Sequence, residues 1–371
     1  MTRSSNRLLS LDVFRGMTIA GMMLVNSPGN QTAYAPLEHA EWNGWTPTDL
    51  VFPFFVFILG VSLVFSFRKR RESNENDGDL LRQILKRTAI IFGLGLLLNG
   101  FPYYHLDTIR IPGVLQRIAL CYLFASLLYL RLTIKQLALL AAGILIGYWL
   151  LLTRIPVPGF GAGNLSKQGN LAAFLDRMIL HGHTYTPEYD PEGILSTLPA
   201  IATALLGIFT GSWLLNEEAA PPKKLFWMLG AGAAGIVLGL IWDPAFPINK
   251  ALWTSSYVLF TGGLALALLA ICYWLIEIKG FRGPLAKFFE VYGMNAIAAY
   301  VVSISLLKIQ NRIPVPNPDG SAGNLRLFIT RRLFESWTSP VNASLMYALS
   351  YTLLWYWILS TLHRKRIFIK I

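Results

Sequence analysis

The sequence predicts an all-α fold, a polytopic membrane helical bundle with about ten transmembrane helices and both termini in the cytoplasm. Of its 371 residues, 54% are hydrophobic and only 14% are charged, whereas ordinary soluble domains have about 25% charged residues. The mean hydropathy is +0.48. The apolar residues form runs of about 20, the length that crosses a bilayer as a helix. This composition excludes intrinsic disorder, a disulfide scaffold and most soluble enzymes.

The apolar runs define the predicted spans in order along the chain. Because a segment in lipid has to satisfy its own backbone hydrogen bonds, each run is predicted to be a helix. The spans cover residues 8–26, 49–67, 84–100, 112–130, 134–152, 195–215, 225–242, 253–276, 285–307 and 341–362. The first span contains Asp12 and Arg15 and lacks a small-residue cleavage site. It is therefore predicted to be retained and not to be a signal peptide.

The basic residues set the predicted orientation. The two termini and the connectors near 70–87, 131–135, 216–224 and 277–287 together hold 20 Lys and Arg, and the other connectors hold 10. In membrane proteins the cytoplasmic loops carry the excess of basic residues, so these connectors and both termini are predicted to be cytoplasmic. The net charge of +12 is thus attributed to topology, and no nucleic-acid partner is expected.

One basic connector has a second interpretation. Its cationic residues, among them Arg68, Lys69, Arg82 and Lys86, are typical of topology signals and of contacts with lipid headgroups. The same cluster is suited to hold the anionic nucleotide of a cytosolic cosubstrate. The two interpretations are compatible.

Three outward connectors are predicted at 27–48, 153–194 and 308–340. They are long and rich in Gly, Pro and polar residues, and long loops of this kind are usually functional or disordered. Their aromatic content argues against disorder. No further boundary divides the chain, so residues 1–371 are predicted to form a single transmembrane domain.

Polar and charged side chains interrupt several spans, where they are costly and usually functional. Asp12 and Arg15 are three residues apart and share one face of the first helix. They either form a buried ion pair that fixes helix packing or face a cavity and position a substrate. Gln116 and Arg117 in the fourth span and Asn295 in the ninth have the same two interpretations.

The first outward loop contains the most specific chemical signal, a histidine between carboxylates and aromatic residues. The segment runs from Glu38 through His39 and Trp42 to Asp49 and precedes an apolar run. A loop histidine is often only a surface group. At the mouth of a membrane cavity, however, an imidazole can act as a base or nucleophile near neutral pH. Asn26, which closes the first span, could orient this imidazole or bind an oxyanion.

The motifs argue against several other kinds of chemistry. Only Cys121 and Cys272 occur, both in apolar runs, and His181 and His183 lack a third ligand at a useful spacing. No metal site is therefore expected. The sequence contains no Walker loop, dinucleotide fingerprint or nucleophile elbow, which argues against nucleotide-driven transport and elbow-type hydrolysis.

A set of short segments follows in order along nearly the whole chain. They are Leu11–Gly16, Leu24–Asn26, His39–Phe57, Arg110–Arg117, Asp190–Leu195, Pro247–Lys250, Leu252–Trp253 and Gly293–Asn295. Together they resemble the heparan-alpha-glucosaminide N-acetyltransferase family of membrane acyltransferases, and the chain looks like a compact, bacterial-type member. It departs from the eukaryotic enzyme at Ser27–Gly29, where that enzyme has a glycine run, so the acceptor could differ.

The resemblance implies an enzyme that moves an acetyl group from cytosolic acetyl-CoA to the amine of a glucosamine-type acceptor on the extracytoplasmic side, without a metal. It implies that His39 is catalytic and that Asn26 supports it. The protein is expected in the inner membrane with the active-site loop outside, and a homodimer is left open. The candidate substrate-binding residues are Asp12, Arg15, Glu38, Trp42, Asp49, Arg110, Gln116, Arg117, Asn249, Lys250 and Asn295.

Two mechanisms and one competing function remain open. His39 either attacks the thioester and forms an acetyl-imidazole, or takes a proton from the amine while both substrates are bound. The second is favoured because an unprotonated amine already attacks a thioester well. The alternative function is a secondary transporter for a sugar or an organic anion, which ten spans with intramembrane charges also suit. His39 favours the enzyme, because a transporter gains little from a histidine in an outward loop.

Overall fold

The computed structural model describes residues 8–73, 75–316 and 322–369, and these fold as a bundle of helices. The helices are α1 (Leu9–Asn26), α2 (Val51–Glu72), α3 (Asp77–Gly100), α4 (Val114–Arg131), α5 (Ile134–Arg154), α6 (Leu171–Leu180), α7 (Thr197–Leu214), α8 (Pro221–Trp242), α9 (Ser255–Tyr273), α10 (Pro284–Met294), α11 (Ala296–Arg312), α12 (Leu325–Thr330) and α13 (Pro340–Arg364). The prediction of an all-helical bundle is confirmed for the described residues.

Seven of the described helices are long and apolar enough to cross a membrane: α2, α4, α5, α7, α8, α9 and α13. The pair α10–α11 makes eight if it is counted as one bent span. The helices α1 and α3 also coincide with predicted spans, but they carry charged residues such as Asp12 and Lys86 and are not among the seven. The architecture fits a membrane helical bundle, and the count of ten spans stays a prediction.

The ninth predicted span is not one helix. The chain bends by 79° between α10 and α11, at Asn295. The Asn295 side chain donates to the Ile367 carbonyl at 3.2 Å and accepts from the Ile369 N–H at 2.8 Å. A break in a helix leaves backbone groups without partners in the same helix. Here the segment that follows α13 packs against the break and bonds to the Asn295 side chain. Hydrophobic periodicity gave no sign of this bend.

The predicted outward connectors contain short helices that were not predicted. Helix α6 lies in the second connector, α12 lies in the third, and the turn Pro47–Leu50 ends the first. The third connector is also shorter than predicted, because α11 continues to Arg312. Residues 317–321 of this connector lie outside the described residues.

Close backbone contact joins α2 and α7, which run parallel through the core. A Cβ added at Gly60 would lie 2.0 Å from the Ala204 carbonyl oxygen, and one added at Gly207 would lie 2.1 Å from the Phe57 carbonyl oxygen. Only glycine permits this approach, and small residues are typical where membrane helices pack. Beyond this contact, Arg68 of α2 bonds to the Leu215 carbonyl just after α7.

Candidate functional site

The segments that precede α2, α4, α7 and α9 converge at one end of the bundle, here called the His39 end. The Gly44 N–H donates to the Ile248 carbonyl at 2.8 Å, and the Asn249 side chain donates to the Asn43 side chain at 3.1 Å. The Ile111 N–H donates to the His183 carbonyl at 3.0 Å. These hydrogen bonds link loops that are far apart in the sequence. The candidate residues are therefore fixed by tertiary contacts.

A local capping motif positions Asp49. Thr46 and Asp49 form a capping box at the turn Pro47–Leu50, as expected for a threonine followed three residues later by an acidic residue. The Asp49 Oδ2 atom accepts the N–H groups of Ala40 and Thr46, both at 3.0 Å, and the Thr46 hydroxyl at 3.2 Å. The Asp49 side chain is 1% exposed. These contacts leave its Oδ1 atom directed at the neighbouring imidazole.

His39, Asp49 and Lys250 form a compact triad of side chains. The His39 Nδ1 atom lies 2.6 Å from Asp49 Oδ1. The Lys250 Nζ atom lies 3.3 Å from the same oxygen, and 3.0 and 3.3 Å from the Nδ1 and Nε2 atoms of His39. The His39 side chain is 54% exposed. A carboxylate on Nδ1 fixes the tautomer that carries its proton there, so Nε2 keeps a lone pair for proton transfer or attack.

Lys250 is one member of this triad whose pKa is changed by burial. The Lys250 side chain is 20% exposed, and burial lowers the pKa of its ammonium, which the carboxylates of Asp49 and Glu192 partly offset. Glu192 belongs to a second charged group.

That second group is a buried ion-pair network centred on Arg110. Its guanidinium donates to both carboxylate oxygens of Asp190, at 2.9 and 2.6 Å, and also to Glu192. The guanidinium also lies over the Tyr185 ring, 4.8 Å from its centre. The Arg110 side chain is 21% exposed and that of Asp190 is 0% exposed. Burial alone would lower the pKa of Arg110, but the two carboxylates raise it above the usual value. Asp190 and Glu192 were not among the predicted site residues.

Arg117 and Gln116 lie deeper, at the start of α4. Arg117 is 1% exposed, donates to the Gly193 carbonyl at 3.1 Å and to Ser196, and stacks over Trp253. Its Nε and NH1 atoms, and the Nε2 atom of Gln116, have no hydrogen-bond partner within the described part of the chain. Through Gly193, Arg117 contacts the backbone next to Glu192, a member of the Arg110 network.

Asp176 of α6 is a buried carboxyl group that was not predicted as a site residue. Its Oδ1 atom accepts the Ile194 N–H at 2.9 Å. The carboxyl packs against Gly193, where an added Cβ would lie 1.8 Å from Oδ2. Burial raises the pKa of Asp176 to about 6, and the neighbouring Asp190 raises it further while the Ile194 N–H lowers it.

We expect Asp176→Asn to remove a pH dependence of stability. Because the folded-state pKa lies above the ordinary value, the folded protein favours protonated Asp176. Stability should therefore fall as the pH rises from about 4 through 6, by roughly 3 kcal/mol for a two-unit shift. Thermal unfolding in detergent between pH 4.5 and 7 should show this loss in the wild type and a flatter profile in Asp176→Asn. The exposed Asp107→Asn is the control, and an unchanged slope in Asp176→Asn would contradict the assignment.

A cavity of about 260 Å³ opens beside His39. It lies between the end of α1, the loop that joins α1 to α2, and the start of α13. Its polar wall includes Asn30, Thr32, Glu38 and Ser344, and its remaining wall is largely apolar. A second cavity of about 510 Å³ is lined by Arg110, Lys308 and Arg312, among others. Neither cavity is lined by residues from the opposite end of the bundle.

Trp42, Asn249 and Asn26 also lie at the His39 end, and the first two hold neighbouring loops together. Trp42 donates from its indole to the Leu165 carbonyl at 2.9 Å and packs edge-on against Tyr189. Asn249 accepts the Leu252 N–H at 2.9 Å, so its side chain holds the loop that carries Lys250. Asn26 ends α1 with an exposed side chain and makes no side-chain hydrogen bond within the described residues.

The remaining predicted residues lie away from the triad. Asp12 and Arg15 form an ion pair at 3.1 Å, and Arg15 also donates to the Ser62 hydroxyl at 2.7 Å. At the opposite end, Arg68 pairs with Glu72 and Glu217, and the predicted nucleotide-binding residues Lys69, Arg82 and Lys86 are exposed.

The fold and the site together define an integral membrane protein of the helical-bundle class with a histidine–carboxylate pair at one end. A family model described as heparan-alpha-glucosaminide N-acetyltransferase, catalytic, matches residues 7–239. The chain belongs to this family, as its motifs predicted. The matched region contains His39, Asp49 and Arg110, whereas Lys250 lies beyond it.

Two relatives carry the same description over a longer stretch. Heparan-alpha-glucosaminide N-acetyltransferase from Homo sapiens is 32% identical over 80% of this chain and 52% of the human protein. The Mus musculus protein of the same name is 32% identical over 80% of this chain and 53% of its own length. The chain thus spans about half the length of the curated relatives it matches.

Proposed function

We propose that this protein is a membrane acetyltransferase that moves an acetyl group from cytosolic acetyl-CoA to the amine of a glucosamine-type amino sugar on the extracytoplasmic side. The observation that carries the proposal is the His39–Asp49 pair at the edge of a cavity, in a chain that belongs to this family. A surface histidine would not need a buried carboxylate on Nδ1. A base or nucleophile does, because the carboxylate fixes the tautomer and stabilises the imidazolium.

The proposed reaction uses His39 as a general base. Its Nε2 atom takes a proton from the acceptor amine as the amine nitrogen attacks the thioester carbonyl carbon. The carbonyl electron pair moves to oxygen, and when it returns the carbon–sulfur bond breaks. The leaving thiolate takes the proton from Nε2, so the products are an amide and the free thiol of CoA. In the alternative order, Nε2 attacks first and the amine opens the acetyl-imidazole.

The cavity beside His39 is proposed to hold the acceptor. Its volume of about 260 Å³ lies just below the roughly 300–1,000 Å³ of sites for drug-sized ligands, as expected for a small sugar. Glu38 lines it and could bind the sugar ammonium or its hydroxyls. Asn26 is proposed to support the oxyanion from the end of α1.

The donor is proposed to come from the other side of the membrane. In this arrangement the ten predicted spans place both termini and the basic connector of Arg68, Lys69, Arg82 and Lys86 in the cytoplasm. All four residues are proposed to bind the nucleotide. Lys69, Arg82 and Lys86 are exposed, and the ion pairs of Arg68 with Glu72 and Glu217 are of the exposed kind that contributes little and can be exchanged for a phosphate. Because the cavity beside His39 does not extend to that end, delivery of the acetyl group requires helices to separate. The break at Asn295 is the proposed position of this opening.

Labelled acetyl-CoA offered with a panel of amino sugars to the purified protein tests the proposal. Sealed vesicles of both orientations test the sidedness. We expect labelled N-acetyl sugar only when acetyl-CoA is on the cytoplasmic face and the sugar is on the opposite face. Transfer with both substrates on one face would contradict the transmembrane delivery, and no transfer to any amine would contradict the acetyltransferase.

Acetyl-CoA should also stabilise the folded protein. At a hundred times its Kd, a ligand of the native state adds about 2.7 kcal/mol, so thermal unfolding in detergent should shift upward with acetyl-CoA. Free adenosine diphosphate at the same concentration serves as the control for weak anion binding. No shift with acetyl-CoA, together with uptake of a sugar or organic anion by proteoliposomes, would favour the transporter suggested by the intramembrane Asp12–Arg15 pair.

A further inference from the structure

The loop between α8 and α9 holds Lys250 in a fixed position. The Ile248 N–H donates to Asp243 Oδ1 at 2.6 Å, and the Asn249 N–H donates to the Thr254 hydroxyl at 3.1 Å. Trp253, with a positive φ of 52°, packs in the core beneath the loop. These contacts fix the backbone on both sides of Lys250, and so they fix the position from which its side chain contacts His39.

Lys250 contacts Asp49 on the side of the carboxylate that faces His39. The Oδ2 atom already accepts three hydrogen bonds, from the N–H groups of Ala40 and Thr46 and from the Thr46 hydroxyl. The Oδ1 atom accepts the His39 imidazole and lies 3.3 Å from the ammonium, so these two donors fill the two acceptor sites of this oxygen. Asp49 therefore places the ammonium beside the imidazole.

The ammonium retains a donor for another acceptor. It has three N–H groups, of which one faces Asp49 Oδ1. The Nδ1 proton of His39 is donated to Asp49, and the Nε2 lone pair, 3.3 Å from Nζ, is the one proposed to take the amine proton. The other N–H groups of the ammonium are therefore left beside the ring nitrogen at which the reaction is proposed to occur.

We propose that Lys250 is a catalytic residue that donates this hydrogen bond to the carbonyl oxygen of the donor thioester. This inference rests on the proposed acetyl transfer. When the amine attacks the carbonyl carbon and Nε2 takes the amine proton, the carbonyl electron pair moves to oxygen, and the ammonium stabilises the resulting oxyanion. When the pair returns, the carbon–sulfur bond breaks and the thiolate takes the proton from Nε2. Lys250 keeps all its protons throughout.

Lys250→Met tests the role, because methionine keeps much of the side-chain volume without the charge. Loss of one oxyanion donor typically lowers kcat by about 10²–10³-fold. We expect a loss of this size with a nearly unchanged KM for acetyl-CoA, since the interaction is made mainly in the transition state. Lys167→Met, on an outer loop over Trp42, is the matched control and should retain full activity.

Chemical rescue separates this role from a structural one. Lys250→Cys treated with 2-bromoethylamine regains an ammonium at nearly the native length, whereas treatment with iodoacetamide gives a neutral side chain. The native Cys121 and Cys272 are buried, and treated wild-type protein controls for their modification. We expect treatment with 2-bromoethylamine to raise the kcat of Lys250→Cys at least tenfold, and treatment with iodoacetamide to leave it unchanged.

The outcomes distinguish the two proposals. If the wild type transfers acetyl and Lys250→Met is as active, or if both reagents rescue Lys250→Cys equally, the oxyanion role is wrong and the acetyltransferase stands. If Lys250→Met raises only KM, the lysine contributes to binding and this inference is overturned. If the wild type transfers no acetyl group to any amine, the proposed function itself fails.

Discussion

Replacing His39 by alanine should lower the rate of acetyl transfer by about 10²–10⁴-fold, the usual contribution of a positioned general base. The substitution removes the only group proposed to accept the amine proton, and it leaves the buried Asp49 with its other donors. The loss should therefore appear in kcat while the folded protein persists. Initial rates with labelled acetyl-CoA and an amino sugar, compared with thermal unfolding of the same sample, measure both quantities.

His181→Ala is the matched control, because His181 is exposed in another loop at the His39 end. It should be as active as the wild type. Incubation with labelled acetyl-CoA and no acceptor adds mechanistic information, since label retained on the wild type but not on His39→Ala would favour the acetyl-imidazole. Full activity in His39→Ala would remove the imidazole from the reaction.

Replacing Arg110 by methionine should destabilise the protein by about 3–5 kcal/mol, the usual effect of removing one partner from a buried ion pair. Asp190, with a side chain that is 0% exposed, and Glu192, at 8%, would lose the cation they share. Neighbouring N–H groups donate to Asp190, but they do not neutralise two carboxylates. The midpoint of thermal unfolding in detergent should fall by several degrees.

A neutral version of the network provides the control. Combining Arg110→Met with Asp190→Asn and Glu192→Gln removes the unpaired charges, and it should recover much of the lost stability. Arg312→Met, at an exposed position over Tyr103, should change little. If Arg110→Met alone unfolds at the wild-type temperature, the network does not stabilise the fold.

Most of the fold followed from local signals in the sequence. Each apolar run that was predicted to be a span coincides with a helix or, at α10 and α11, with a pair of helices. This was predictable because each segment in lipid has to satisfy its own backbone hydrogen bonds. The bend at Asn295 was missed because its cause is tertiary: the segment at Ile367–Ile369 takes over the polar contacts there. The short helices α6 and α12 were missed because Gly and Pro around them are typical of loops.

The site was predictable in its parts and not in its arrangement. His39 and Asp49 were predicted from the sequence, whereas the threonine–aspartate capping pattern that positions Asp49 formed no part of that prediction. Lys250, 211 residues further along the chain, was named as a substrate-binding residue, but its contact with the imidazole depends on how α8 and α9 pack. Asp190 and Glu192 could have been predicted as partners of Arg110. The two acids lie just before the predicted span 195–215, and Arg110 lies just before the predicted span 112–130.

The close contact between α2 and α7 at Gly60 and Gly207 limits how these two helices can move. At each glycine a carbonyl oxygen of the other helix lies about 2 Å from the position of an added Cβ, so the two backbones have no space in which to slide past each other. We therefore expect α2 and α7 to move together, so that the segments before them, which carry Asp49 and Glu192, keep their spacing. If the acetyl group is delivered across the membrane as proposed, the helices that separate must be others in the bundle.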